Sequence, residues 1–446
     1  MEKPIINKGK KNRQIMMQLP LSGRESPSLP LSTNEQFNQY FENSWETFTQ
    51  IPFPSNKDEA WRRTPIDSLE LDSLQYFPST SKNILASKKL LTSPGYDLSG
   101  QIKLDAGKAI INVNSELLNS GLIFMDLHTA IDQYPDVISP ILGSIVPASD
   151  GKFAALTSAL AGDGAILIVP QGMQIDPPFK ITIKHPKPKT TNFYHSIILL
   201  ERDSKASIII EYLSPYGNST EQAMIGDVLE VIVCEEAKLE LCEIQELGTQ
   251  VWSFSHQRAR ISQGSGIAWI YGGIGRHLSK TFLDVDLIGK NAKAEVKGLF
   301  ISDLDQHFDF DTEQNHLAAD TKSDLLFKGA LKGKSKSVWQ GMIHVAPNAN
   351  RSDGYQKSST LILSDDAKAS AIPGLEILNN DVKCSHGATI SNLSPDELFY
   401  LQTRGISRDE GEKLLTRGFF NQITELIKNQ GNRKQFEQMI DKKLEN

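Results

Sequence analysis

From about Gly162 to Ile390 the chain repeats a short unit, and that repetition restricts its fold more than any other feature. β-rich runs such as Ala165-Ile166-Leu167-Ile168-Val169, Ser207-Ile208-Ile209-Ile210 and Val228-Leu229-Glu230-Val231-Ile232-Val233 recur along it. Turn-like units centred on Ala206, Ala237, Gly266, Ala292 and Thr321 separate the runs, at intervals of about 26 to 31 positions. A unit of that length cannot bury its apolar side alone and must stack on its neighbours. The pattern therefore predicts a mainly β chain with a β-solenoid core over residues 151–390. Long helical patterns are missing there, which argues against an alternating βαβ sheet, while a β-sandwich is the competing arrangement.

The flanks read differently. Residues 1–31 carry Lys3, Lys8, Lys10, Lys11, Arg13 and Arg24 without an apolar stretch and read as a disordered basic arm. Residues 32–150 form a mixed, largely helical N-terminal domain. Its first helix is expected behind a capping box, Ser32-Thr33-Asn34-Glu35, with Phe37, Tyr40, Phe41, Trp45 and Phe48 at helical spacing. Pro52-Phe53-Pro54 ends that helix, and Trp61 reads as a packing residue. Residues 391–446 return to helix behind Ser394-Pro395-Asp396-Glu397 and Ser407-Arg408-Asp409-Glu410, with Gly405 between them. Leu414, Leu415, Phe419, Phe420, Ile423 and Ile427 give the second of these helices an apolar face. That face either docks on its own chain or leaves Phe419 and Phe420 as a contact for another subunit.

With 446 residues the chain can bury a large core, and its net charge of −7 supplies no overall basic field for nucleic acid. Three cysteines do not make a secreted disulfide framework and fit a reducing compartment. No apolar run approaches the roughly 18 residues that span a bilayer. A cytoplasmic location is the expectation, with an organelle stroma as the alternative should the basic arm act as a transit peptide.

The stretch richest in chemistry is Asp381-Val382-Lys383-Cys384-Ser385-His386-Gly387-Ala388-Thr389. On a strand, Cys384 and His386 leave the same face, and thiolate and imidazole suit zinc, copper(I) or iron–sulfur units. Two ligands are half a site, so the remaining donors would come from elsewhere in the fold or from another polypeptide. The alternatives are a small buried thiol beside a satisfied imidazole, or a Cys–His dyad that lacks an oxyanion pocket and an orienting group. His307-Phe308-Asp309-Phe310-Asp311 alternates strictly, as metal donors would and as any half-buried strand with a wet polar face does; His316 lies nearby. A β-helix enzyme acting on polysaccharide, with Asp309 and Asp311 as its acid and base, is the rival from another functional class. Cys234 and Cys242 read as inert thiols. Lys328, Lys332, Lys334 and Lys336 read as a solvated turn, and Tyr271-Gly272-Gly273-Ile274-Gly275 lacks the context of a dinucleotide fingerprint.

At Leu361-Ile362-Leu363-Ser364-Asp365-Asp366-Ala367, Leu375-Glu376-Ile377, Asp381 to Thr389, and Leu398-Phe399-Tyr400-Leu401-Gln402-Thr403-Arg404-Gly405-Ile406, the order of motifs resembles the SufB/SufD family of iron–sulfur cluster assembly proteins. Glu59-Ala60-Trp61-Arg62-Arg63-Thr64, Ile168-Val169-Pro170-Gln171-Gly172 and Asp311-Thr312 with His316, Ser323 and Phe327-Lys328-Gly329 are weaker similarities. Ser385-His386-Gly387-Ala388-Thr389 stands where the SufB branch has a His-Glu-Ala-Thr type sequence, which brings the chain closer to the SufD branch. The resemblance implies a right-handed parallel β-helix flanked by N-terminal and C-terminal helical regions, and a non-catalytic scaffold that pairs with SufB and with the ABC-type ATPase SufC; the alternative is a purely structural partner without metal ligands. It implies Cys384 and His386 as candidate ligands of iron or a transient iron–sulfur cluster near the SufB contact. It also implies that residues 394–430 dock SufC, with Phe419 and Phe420 at or near that contact. No nucleotide, nucleic acid or membrane is expected to bind this chain, and a homodimer is possible without SufB. Ser391 stands where many relatives have Gly. Gly411 occupies a helical position usually filled by Ala, a departure worth about 0.5–1 kcal/mol if exposed.

Overall fold

The computed structural model describes residues 17–18, 29–30, 32, 34–76, 84–85, 92–93, 96–105, 108–184, 187–214 and 219–445. The basic positions of the expected N-terminal arm, Lys3 to Arg24, lie outside these residues. In the N-terminal region follow β1 (Met17–Gln18), α1 (Glu35–Gln50), β2 (Gln75–Tyr76), β3 (Ile84–Leu85), β4 (Thr92–Ser93), β5 (Tyr96–Asp97), β6 (Gly100–Asp105), β7 (Lys108–Val113), α2 (Ser115–Asn119), β8 (Ile123–Asp126), α3 (Leu127–Gln133), α4 (Pro135–Ile138) and α5 (Lys152–Leu160). The start of α1 differs from the expected capping box. Glu35 is its first residue and cannot close a box with Ser32; the cap is Asn34, whose side chain accepts from Gln36 N–H, while Ser32 Oγ accepts from Asn34 N–H at 3.0 Å.

Residues 166–392 form a β-solenoid of about eight turns. Its strands alternate between two sheets. The first contains β9 (Ala165–Val169), β11 (Thr190–Leu200), β13 (Ala223–Val233), β15 (Val251–Ile261), β17 (Leu278–Leu287), β19 (His307–His316), β21 (Lys336–Val345) and β23 (Lys368–Ile377). The second contains β10 (Phe179–Lys184), β12 (Lys205–Leu213), β14 (Lys238–Glu246), β16 (Gly266–Gly273), β18 (Lys293–Ser302), β20 (Lys322–Leu331), β22 (Ser352–Ile362) and β24 (Val382–Asn392). Successive solenoid strands within each sheet are parallel, so each inner coil hydrogen-bonds to the coil above and the coil below it.

The sequence repeat corresponds to the corner that feeds the second sheet. Asp203-Ser204, Glu236-Ala237, Gly264-Ser265, Asn291-Ala292, Asp320-Thr321 and Arg351-Ser352 occupy equivalent places at the entry to β12, β14, β16, β18, β20 and β22. The first residue of each pair has φ between 56° and 65°, which turns the chain sharply. The second is small and buried, because it points into a corner stacked directly on its neighbours. Where it carries a hydroxyl, that group closes the turn on the carbonyl three residues back: Ser204 to Glu201, Ser265 to Ser262, Thr321 to Ala318 and Ser352 to Ala349, at 2.6–3.1 Å. The turn centres read from sequence thus fall within two residues of the real corners.

Both outer faces of the solenoid are partly clothed. α1 and α5 lie against the first sheet, where Phe48, Phe153, Leu156 and Leu160 pack with Phe193, Trp252 and Phe254. α6 (Pro395–Thr403), α7 (Arg408–Thr424) and α8 (Gln430–Glu445) follow the last strand. α7 and α8 press Phe420, Ile423, Phe436 and Ile440 onto Ile209, Ile244, Leu299 and Ile301 of the second sheet. Gly411 is buried: a Cβ there would meet Leu398 at 3.3 Å and Leu401 at 3.5 Å, so the glycine lets α7 approach α6 and the cost of an exposed helical glycine does not apply. At the N-terminal end the second sheet continues through β6 and β7, which pair antiparallel. At the other end β23 and β24 each terminate a sheet, with one edge unpaired among the described residues. No described helix is long and apolar enough to cross a membrane.

Candidate functional site

The open end of the solenoid holds the two residues with the most chemistry. Parallel register places Cys384 beside Gly354 and His386 beside Gln356. These pairs extend two columns, Ser323–Gly354–Cys384 and Leu325–Gln356–His386, across the last three strands of the second sheet. Cys384 is half-buried and, with Val382, packs on Ile343, Val345 and Ala349. Burial pushes its thiol upward, the Gly354 N–H offsets part of that, and the Asp353 charge adds to it. His386 is exposed, since no further coil among the described residues covers its strand.

One coil further in, His316 is buried, with Nδ1 2.7 Å from Thr321 Oγ1 and Nε2 2.8 Å from Ser323 Oγ. Burial lowers its imidazole to about 4 against a small opposing effect of Asp353, so it is neutral near pH 7. A Cβ on Gly354 would stand 3.1 Å from His316 Nε2 and 3.3 Å from Cys384 Sγ, so any side chain there would press on both the imidazole and the thiol. Gln356 is buried beside His386, its Nε2 donating to Gly341 O at 3.2 Å and Gly374 O at 2.9 Å. Tyr355, Leu375, Ile377, Leu378 and Ile390 are exposed around the same end.

Among the described residues no three His, Cys, Asp or Glu side chains are grouped so as to hold a metal ion. Cys384 and His386 together offer one sulfur and one nitrogen donor at a surface. Chemically, such a donor pair suits a soft metal or an iron–sulfur unit and by itself would fill only part of a shell.

The His307, Asp309 and Asp311 face is not wet as a half-buried strand would be. It lies on the outside of the first sheet, but the Glu59–Thr64 segment covers it. Lys280 bridges Asp309 at 3.0 Å and Asp311 at 2.5 Å and donates to Ala60 O at 2.6 Å, while Thr64 Oγ1 donates to Asp309 and lies 3.1 Å from His307 Nε2. Trp61 stacks among Phe153, Phe254 and Phe282. Asp311 reaches a cleft of about 550 Å³, yet its oxygens are engaged by Lys280 and by Gln340 at 2.8 Å. This constellation fastens the N-terminal layer to the solenoid, and its carboxylates are not free to serve as an acid–base pair. Sequence gave no sign of Lys280, because its partners lie about 30 residues away on the next coil or more than 200 away in the N-terminal layer.

The remaining candidates sort by burial. Cys242 is buried and its thiol is pushed far upward by that burial; Cys234 is half-buried and raised for the same reason. Phe420 is fully enclosed in its own chain's core. Phe419 is half-buried, with Lys328 Nζ 4.5 Å above its ring and bonded to its carbonyl at 2.6 Å. Phe399 and Tyr400 on α6, which the sequence reading did not single out as contacts, are the open aromatics here, at 68% and 57% exposure. In Tyr271-Gly272-Gly273, a Cβ on Gly272 would collide with the Phe436 ring, so this glycine seats α8.

Residues 182–419 match the family described as SUF system FeS cluster assembly, SufBD core domain, and residues 105–181 match the SufBD protein N-terminal region. Iron-sulfur cluster assembly SufBD family proteins of Staphylococcus haemolyticus (strain JCSC1435), Staphylococcus aureus (strain MRSA252) and Staphylococcus epidermidis (strain ATCC 12228) are each 26% identical over 313 residues. Those alignments span 70% of this chain and 67% of each relative.

Proposed function

Because the chain belongs to the SufBD family of SUF-system iron–sulfur cluster assembly proteins, we propose that it is a non-catalytic scaffold of that machinery, of the SufD type, which joins a SufB-like subunit through the open end of its solenoid. The observation that carries this reading is the coincidence of β24, an edge strand, with Cys384 and His386 on that same strand. An unpaired parallel edge invites a strand from a partner, and the exposed Ile377, Leu378 and Ile390 give the contact an apolar component.

In this reading the nascent cluster is cargo. Cys384 as thiolate and His386 as neutral imidazole supply two donors, and the partner supplies the others. An incomplete, shared shell suits a cluster that must leave again. The SufC-like ATPase docks on the helical segment 394–430, where Phe399 and Tyr400 offer open rings, Phe419 a partly open one, and Phe420 holds the layer in place. The SufD assignment rests on Ser385-His386-Gly387-Ala388-Thr389, and the chain works in the cytoplasm.

Co-expression with SufB-like and SufC-like subunits tests the interface. The three chains are expected to co-purify, and the double substitution Ile377→Lys with Ile390→Lys is expected to release the SufB-like subunit while leaving thermal unfolding of this chain within a few degrees of wild type. A complex that survives both lysines would refute the end-on arrangement.

A further inference from the structure

A second built surface lies on the outside of the first sheet, at the corner opposite the small-residue turns. His307, Lys336 and Lys368 are register partners on β19, β21 and β23, which puts three nitrogen-bearing side chains in a row at roughly the 4.8 Å spacing of neighbouring strands. Lys334 joins them from the preceding corner and His277 from the corner before β17. Together they line a groove of about 530 Å³ whose far wall includes Pro65 and Ser68 of the N-terminal layer.

Lys334, Lys336 and Lys368 have no ion-pair partner among the described residues, whereas the neighbouring Lys280 is held by two carboxylates. The His307 ring does not swing away. The Thr64 hydroxyl proton goes to Asp309, so Thr64 Oγ1 accepts from His307 Nε2–H and fixes both tautomer and orientation. Burial first, and then the Lys336, Lys280 and His277 charges, lower this imidazole to about 4. Asp305 and Asp366 also line the groove. They leave the three ammonium groups in excess and stand against a long polyanion, as does the net charge of −7.

We propose that this groove binds a compact, multiply charged phosphate-class anion, gripped by Lys336 and Lys368 from adjacent strands and by Lys334 from the corner. Ammonium groups act as point charges that suit phosphoryl oxygens without demanding a fixed plane, and two strands' separation matches a ligand with two anionic centres.

Inorganic pyrophosphate, titrated calorimetrically into the full chain at low ionic strength, provides the test. One equivalent is expected to bind, more tightly than inorganic phosphate or sulfate. Lys336→Gln combined with Lys368→Gln should weaken it at least about tenfold, and Lys290→Gln, a surface lysine near Asp320 on the other corner, should not. Thermal unfolding confirms that the variants are folded. Absence of saturable binding, binding of several equivalents, or equal weakening by Lys290→Gln would overturn the assignment in favour of general surface charge.

Discussion

Gly354 and Cys384 are direct neighbours on the last two strands of the second sheet, and the bare Cα of the glycine is what lets the cysteine sulfur lie inward toward His316. A Cβ at that point would press on Ile343 and His316 at 3.1 Å and on the sulfur at 3.3 Å. Gly354→Val is therefore expected to force Cys384 outward, at a cost of about 1–3 kcal/mol for overpacking. Its signature is faster alkylation of Cys384 in the folded chain at constant pH. An unchanged rate would mean that the glycine does not position the thiol.

Gly272 plays a comparable part for the helical layer, since the Phe436 ring rests where its side chain would be. Gly272→Val should lift α8 from the second sheet, destabilise the chain by about 1–3 kcal/mol through overpacking against Phe436, and raise amide exchange across α7 and α8 first. The phrase Tyr271-Gly272-Gly273 thus serves helix docking. Exchange confined to the strands would contradict this.

Lys280 is buried between Asp309 and Asp311, and burial holds both carboxyl groups above the usual range in spite of the ammonium beside them. Removing it strands two acids. Lys280→Met should cost about 3–5 kcal/mol and loosen Glu59–Thr64, measured by denaturant unfolding and by proteolysis of that segment. Adding Asp309→Asn and Asp311→Asn should recover part of the loss, as expected if unpaired charge is the cause.

Inside the solenoid, Glu243 and Asp227 face each other across Gln257, whose amide donates to Glu243 at 3.0 Å and to Asp227 at 3.5 Å. Burial, followed by the Asp227 charge, raises the Glu243 carboxyl to about 7. The folded chain therefore binds a proton that the unfolded chain releases between about pH 4.5 and 7. The stabilisation from that proton is complete below the unfolded pKa and lost as pH rises through 7. Glu243→Gln keeps the neutral shape, so its stability relative to wild type should improve between pH 5 and pH 8 by about 1–3 kcal/mol. A difference independent of pH would show that the carboxyl is already ionised in the fold.

How much of this was legible beforehand differs by level. The corners were legible because each coil needs a sharp turn followed by a small buried residue, as in Glu236-Ala237 and Asn291-Ala292, and that requirement recurs at a nearly fixed interval. Cys384 and His386 were legible as a pair because period-two spacing on a strand is local. Their place at an edge was not, since it depends on β24 being the last strand of its sheet. His316 and Gly354 were hidden for the same reason: their approach to Cys384 is made between coils. The outward face of His307, Asp309 and Asp311 misled because alternation reports which residues share a face and cannot report that another layer covers it.

The proposed scaffold uses Cys384 and His386 as donors at a shared boundary, and the most direct check is the iron and acid-labile sulfide content of the purified complex with Cys384→Ala and His386→Ala. The prediction is unchanged subunit composition with iron and sulfide reduced about tenfold or more, since even groups that only orient metal ligands are worth about 10–100-fold in metal affinity. A complex of normal composition that still carries its full iron and sulfide would contradict it.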